Sequence, residues 1–169
     1  NGRIKEIVVK NLYAKCHFRI IKKDSASKQR MEGNTEWYKI VDEVEITNML
    51  TGKSMSVAVT SLQLFNENGK VNDVVILPPF PECCGSVDTI PSLFLWFPLL
   101  GTESFGVNFI FHSKRWYPVE KRNNIMLPEN VPSKCEKGAH NEEILHEMMA
   151  TLHRYYAYEG NAYSLNRDM

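Results

Sequence analysis

Alternation of apolar and polar residues with a period of two is the feature that most limits what this chain can become. Cys16, Phe18 and Ile20 alternate with His17, Arg19 and Ile21, and Tyr38, Ile40, Val44 and Ile46 alternate with Lys39, Glu43 and Glu45. Successive side chains of a strand point to opposite faces, so such runs make strands with one face buried. Two segments with turn chemistry, Asn48 to Lys53 and Asn66 to Lys70, each carry a glycine between β-rich runs. Together they predict an antiparallel meander over residues 37–77.

The stretch from Lys22 to Glu36 is charged and small, has no apolar period, and reads as a mobile hairpin loop. Leu77-Pro78-Pro79-Phe80-Pro81 breaks the sheet, because proline donates no ladder hydrogen bond. Leu93 to Leu100 reads as buried, and Val107 to Phe111 as another strand packed on both faces. A second helix is allowed for in the 116–125 region. The clearest helix covers 142–157: Asn141 caps it, Glu142 and Glu143 complement its positive end, and Ile144, Leu145, Met148, Met149, Leu152, Tyr155 and Tyr156 make one stripe. Gly160 marks its end. The expected fold class is α+β, a mixed, mainly antiparallel sheet with this C-terminal amphipathic helix packed on one face.

At 169 residues the chain is long enough for one core. Residues 1–160 are expected to form a single domain and 161–169 a tail or linker, the whole being a fragment of a larger protein, since the chain starts without methionine. Its 43% hydrophobic and 24% charged residues are those of a globular protein. Lys plus Arg and Asp plus Glu stand at 20 each, which leaves no net field to draw in a polyanion, so no nucleic-acid partner is expected. The longest apolar stretch, Ile90 to Leu100, is broken by prolines and far short of a bilayer span, so no membrane partner is expected either. Four cysteines, Cys16, Cys83, Cys84 and Cys135, are too few and too irregular for a secreted disulfide framework. Reduced thiols in a cytoplasmic protein are the expectation.

No complete catalytic constellation is present. A helical zinc protease would need a second histidine where Ala150 stands after His146, and His153 lies about two turns further along. Pro81-Glu82-Cys83-Cys84 lacks the cysteine spacing and the preceding His-x-Glu of a zinc deaminase. A nucleophile elbow and both glycine-rich phosphate loops are missing. No resident metal or cofactor is expected, and a metal-dependent enzyme built on His112, His140 and Cys135 ranks last among the readings.

What remains is the run from Phe97 to Ser113 followed by Trp116 to Leu127. Phe97-Pro98-Leu99 opens it, Gly101-Thr102 forms a short link, Val107 to His112 a strand, Trp116 an aromatic, and Arg122 an arginine shortly before Ile125. This order resembles the segment that follows the ATPase domain in sacsin-like, heat-shock-chaperone-like (GHKL-type) ATP-binding proteins of bacteria. His112 stands where that family more often has asparagine, and Lys121 where a second arginine occurs. The ATPase's own signatures are missing from these residues, so the resemblance implies the domain after it. ATP and Mg would belong to a neighbouring domain of the parent protein.

That resemblance implies a non-catalytic middle or transducer domain, coupling a neighbouring nucleotide site to conformational change. Its partners would be the ATPase domain of the same chain and a protein client. Arg122, with Lys121, is the candidate γ-phosphate sensor, while Pro98, Gly101, Thr102, His112 and Trp116 are the residues that carry the motif. Arginine suits such a role because its charged fork fits phosphate oxygens two at a time. An ion pair with Glu120 or Glu103 is the simpler fate for the same side chain. The alternative function is a protein-interaction module, with Trp116-Tyr117 and Tyr155-Tyr156-Ala157-Tyr158 as its binding surface.

Overall fold

In the computed structural model, which describes residues 6–11, 16–23, 27–31, 36–77, 90–128 and 136–165, the alternating segments pair into one sheet. The strands are β1 (Glu6–Asn11), β2 (Cys16–Lys22), β3 (Ser27–Arg30), β4 (Trp37–Asn48), β5 (Ser54–Phe65), β6 (Val71–Ile76), β7 (Leu93–Phe94) and β8 (Ile110–Ser113). Their order is β1-β2-β4-β5-β6-β8-β7, with β3 paired to β4 alongside. All pairings are antiparallel except β7 with β8, which is parallel. Among the described residues one α-helix, α1 (Glu136–Leu165), completes the α+β fold. No helix among the described residues is long and apolar enough to cross a membrane.

The expected meander over 37–77 is β4, β5 and β6. Asn48 turns the first hairpin by accepting the amides of Leu50 and Thr51 on Oδ1, and Asn66 does the same for Asn68 and Lys70. Gly52 and Gly69 supply the positive φ that each turn demands.

Register explains the core. Lys39 lies opposite Leu62, Leu62 opposite Val75, Val75 opposite Phe111, and Phe111 opposite Leu93, so one cross-strand row runs over five strands. Leu62, Val75, Phe111 and Leu93 are buried with Ile144, Met148 and Leu152 of α1 in one cluster. Each fully buried leucine or phenylalanine contributes about 1.5–3 kcal/mol, which makes this row a chief source of stability. The neighbouring row, Trp37, Leu64, Asp73 and Ser113, faces the same side. From Glu147, which reaches the β6–β8 region, to Glu159, which reaches β4, the helix rises about 18 Å. The strand spacings beneath amount to about 10 Å, so α1 crosses the sheet obliquely.

Several segments differ from expectation. The loop over 22–36 contains β3, which pairs with Tyr38 to Val41 of β4. All four β3 residues are exposed, so no buried face imposes an apolar period on it. No helix forms over 116–125; Pro118 and the Asn123-Asn124 pair favour a turn there, and a hairpin-like loop results. The strand expected over 107–111 begins at Ile110, and its burial alternates instead of covering both faces. Within 93–100 only Leu93 and Leu99 are buried, because a turn at Leu95 to Pro98 pushes Trp96 out to 73% exposure.

The helix also exceeds its expected bounds. It starts at Glu136 and continues through Gly160 to Leu165. A helical glycine costs about 1 kcal/mol, which marks a weak point rather than an end. Asn141 therefore lies inside α1 and caps nothing. Met149 and Tyr156 fall off the buried stripe and are exposed. Cys83, Cys84, Cys135 and Pro78 to Pro81 lie outside the described residues.

Candidate functional site

Behind β8 the chain makes a small hairpin whose stem is bonded and whose tip is bare. Met126 N–H donates to Tyr117 O (2.9 Å), Pro118 and Ile125 form an antiparallel bridge, and Val119 N–H donates to Asn124 O (3.0 Å). At the tip Arg122 N–H reaches back to Val119 O (2.9 Å), closing a turn in which Arg122 has φ 55. That left-handed conformation is uncommon for any residue except glycine.

Three anchors hold the stem. Trp116 and Ile125 are buried in the core. Asn141, fully buried on α1, accepts Tyr117 N–H (2.9 Å) on Oδ1 and donates through Nδ2 to Tyr117 O and Met126 O (2.8 Å each). Gly138 lets α1 approach closely, since a Cβ there would lie 3.1 Å from Pro128 N and 3.2 Å from Leu127 C. At the entrance to the hairpin, the Arg115 guanidinium donates from Nε to Asp73 Oδ1 (3.2 Å), from Nη2 to Asp73 Oδ2, and from Nη2 to Glu147 Oε2 (3.0 Å). Burial works against this charge, but the Asp73 bonds and then Glu147 outweigh it, so the Arg115 pKa is raised.

The tip presents Glu120, Lys121, Arg122 and Asn123 to solvent. The Arg122 guanidinium carbon stands 5.6 Å from the centroid of the Phe97 ring. It makes no ion pair with Glu120, Glu103 or any other carboxylate among the described residues. Phe97 belongs to the turn preceding Gly101, and a Cβ at Gly101, whose φ is 108, would sit 3.4 Å from Asn123 O. The segment over 97–101 therefore packs against the tip.

The motif residues themselves divide into two groups. Arg122 and Lys121 share the tip, with Gly101 beside it. Thr102 is fully buried, donating from Oγ1 to Leu99 O (2.8 Å) and accepting Leu93 N–H (3.1 Å), so it holds the fold and offers nothing to a ligand. Pro98 bridges Phe94, and buried Trp116 keeps its indole N–H without a partner among the described residues. Trp116 is consequently not part of an exposed binding surface. His112 lies on β8 opposite Val74 and Phe94. Burial first, and Lys114 second, hold its imidazole below the usual histidine pKa, partly offset by a hydrogen bond with the Leu95 backbone.

His146 and His153 are exposed on α1, while His140 is half-buried with its ring 5.4 Å from Tyr117. Among the described residues no group of three or more His, Cys, Asp and Glu is arranged to hold a metal ion. Asp73, Arg115 and Glu147 were given no role by the sequence, and Asn141 was read only as a helix cap. Asn141 carried a signal, since Asn141, Ile144, Met148 and Leu152 recur at helical spacing and place it on the buried face. Asp73 is in phase with Val75, an acid at an inward position.

The chain matches no protein-family model, no curated protein and no solved structure.

Proposed function

We propose that this chain is a non-catalytic coupling domain that presents Arg122 to an anionic oxygen on a neighbouring nucleotide-binding domain of the same protein. The observation that carries the reading is the Arg122 guanidinium, exposed at the hairpin tip and unpaired with any carboxylate among the described residues. Such a side chain is preorganised for an incoming phosphate, because no internal ion pair must break first. The Asn141 clamp gives the tip a mechanical connection, since movement of Tyr117 and Met126 bears directly on α1. ATP and Mg would be held by the neighbour, with Lys121 adding charge nearby.

The test is ATPase turnover and nucleotide affinity in the full-length protein. If Arg122 engages mainly the transition state or the closed state, Arg122→Ala slows turnover far more than it weakens nucleotide binding, while Lys121→Ala has the smaller effect. Wild-type turnover in a folded Arg122→Ala protein overturns the proposal.

A protein-interaction module is the second reading, favoured by exposed apolar groups. Trp96, Leu100 and Phe105 project from the segment between β7 and β8, and Tyr117 from the hairpin. On that reading Trp96→Ala abolishes client binding and Arg122→Ala leaves turnover untouched.

A further inference from the structure

The far end of α1 passes over the sheet margin made by β3 and β4, and a groove of about 470 Å³ lies between them. Pockets that take small molecules run roughly 300–1,000 Å³. Met31 and the rings of Tyr155 and Tyr158 give this one apolar walls, and Arg30, Lys39 and Arg154 give it charge, with no carboxylate among its lining residues. The three cations are not equivalent. Arg30 pairs with Glu36 (2.9 Å) and Lys39 with Glu159, the latter ammonium also standing 5.3 Å from the Tyr155 ring centroid. Arg154 has no ion pair among the described residues.

We infer that this groove is a binding site for a small planar aromatic anion, its ring against Tyr155 and Tyr158 and its anionic group at Arg154. Flat aromatic walls favour a ring through offset or edge contacts. A guanidinium forks onto carboxylate, sulfonate or phosphate oxygens. An acidic peptide added as a strand is the weaker fit, because β3 offers only four residues, roughly 13 Å of edge, for main-chain pairing. The site lies on other residues than the Arg122 hairpin and does not depend on the coupling role.

The probe is anilinonaphthalene sulfonate, titrated into the 169-residue chain and followed by fluorescence. Saturable binding at one site is expected, weakened about tenfold by Arg154→Gln and by Tyr158→Ala, partly restored in Arg154→Lys, and unchanged in Trp96→Ala and Arg122→Ala. Circular dichroism checks that each variant is folded, and Tyr158, at 60% exposure, is a safe position to truncate. Neutral phenylnaphthylamine should bind Arg154→Gln as it binds wild type. Wild-type dye affinity in both Arg154→Gln and Tyr158→Ala, or loss of binding in Trp96→Ala, overturns the inference. Displacement of the dye by polyglutamate but not by naphthoate assigns the groove to acidic peptides and overturns it equally.

Discussion

Arg115 closes over Asp73, so that a fully buried carboxylate on β6 has both oxygens held by a guanidinium that follows β8. Glu147 takes the same Nη2 from the side of α1, and three elements meet at one cation.

The expected consequence of removing that cation is large. Arg115→Met leaves Asp73 buried and unpaired; breaking such a pair costs about 3–5 kcal/mol, and the one-third exposure of Arg115 argues for the lower end. Replacing Asp73 by Leu as well should recover part of the loss, because the orphaned charge goes with it. Urea unfolding of the single and double variants measures both steps. A single variant within about 0.5 kcal/mol of wild type contradicts the buried-pair account.

Asn141 predicts a local effect. Asn141→Ala leaves Tyr117 N–H and Met126 O without their side-chain partner, while Tyr117 O keeps its bond from Met126 N–H. Each buried polar group left unpaired costs about 1–3 kcal/mol, so a loss of about 3 kcal/mol is expected after partial relaxation. Hydrogen exchange should show the Tyr117 amide losing protection while Val75 in the central sheet keeps more of its own. Asn141→Asp should be no rescue, because it retains the acceptor, removes both donors and buries a charge.

These residues show where sequence was informative and where it was silent. Alternation of Tyr38, Ile40, Val44 and Ile46 marked β4 as a strand but picked the face away from the core: Lys39, on the other face, stands in the row of Leu62 and Val75, and it is Trp37 on that side that joins the cluster with α1. Alternation could not expose β3, whose side chains are all solvated, nor the hairpin, whose order comes from backbone bonds to Asn141 rather than from an apolar period. Trp96 looked like core because it is apolar among apolar neighbours, whereas its exposure follows from the turn at Leu95 to Pro98. Arg122 was singled out by the resemblance alone. Its left-handed φ and its place on Phe97 were not legible, since both depend on how 97–101 packs against the tip.

His112 predicts a pH dependence. Its folded-state pKa is lowered, by burial first and Lys114 second, with Leu95 and Asp73 opposing. The unfolded chain therefore binds the proton more readily, so the neutral imidazole's contribution is complete above the unfolded pKa of about 6.5 and is lost as pH falls through the folded value. The urea midpoint of wild type should drop between pH 7.5 and pH 5.5, and His112→Asn should flatten that drop. An equal drop in the variant would assign the slope to other groups.

Arg122 separates strain from function. A non-glycine residue in the left-handed region costs about 1 kcal/mol, so Arg122→Gly should be more stable than Arg122→Ala by about 0.5–1 kcal/mol, after allowing for the greater freedom of glycine in the unfolded chain. The guanidinium itself contributes little to folding, since it is exposed and its contact with Phe97 amounts to about 0.5 kcal/mol. Both variants remove the cation, and on the proposed coupling role both should lose ATPase turnover to the same extent in the full-length protein, although they differ in stability. A residue kept at a costly backbone angle where glycine fits better is then explained by what its side chain does outside this domain. If Arg122→Ala proves the more stable of the two, the φ of the tip is not under strain. If the two variants differ in turnover in step with their stability, the loss reflects the shape of the hairpin and not the missing charge.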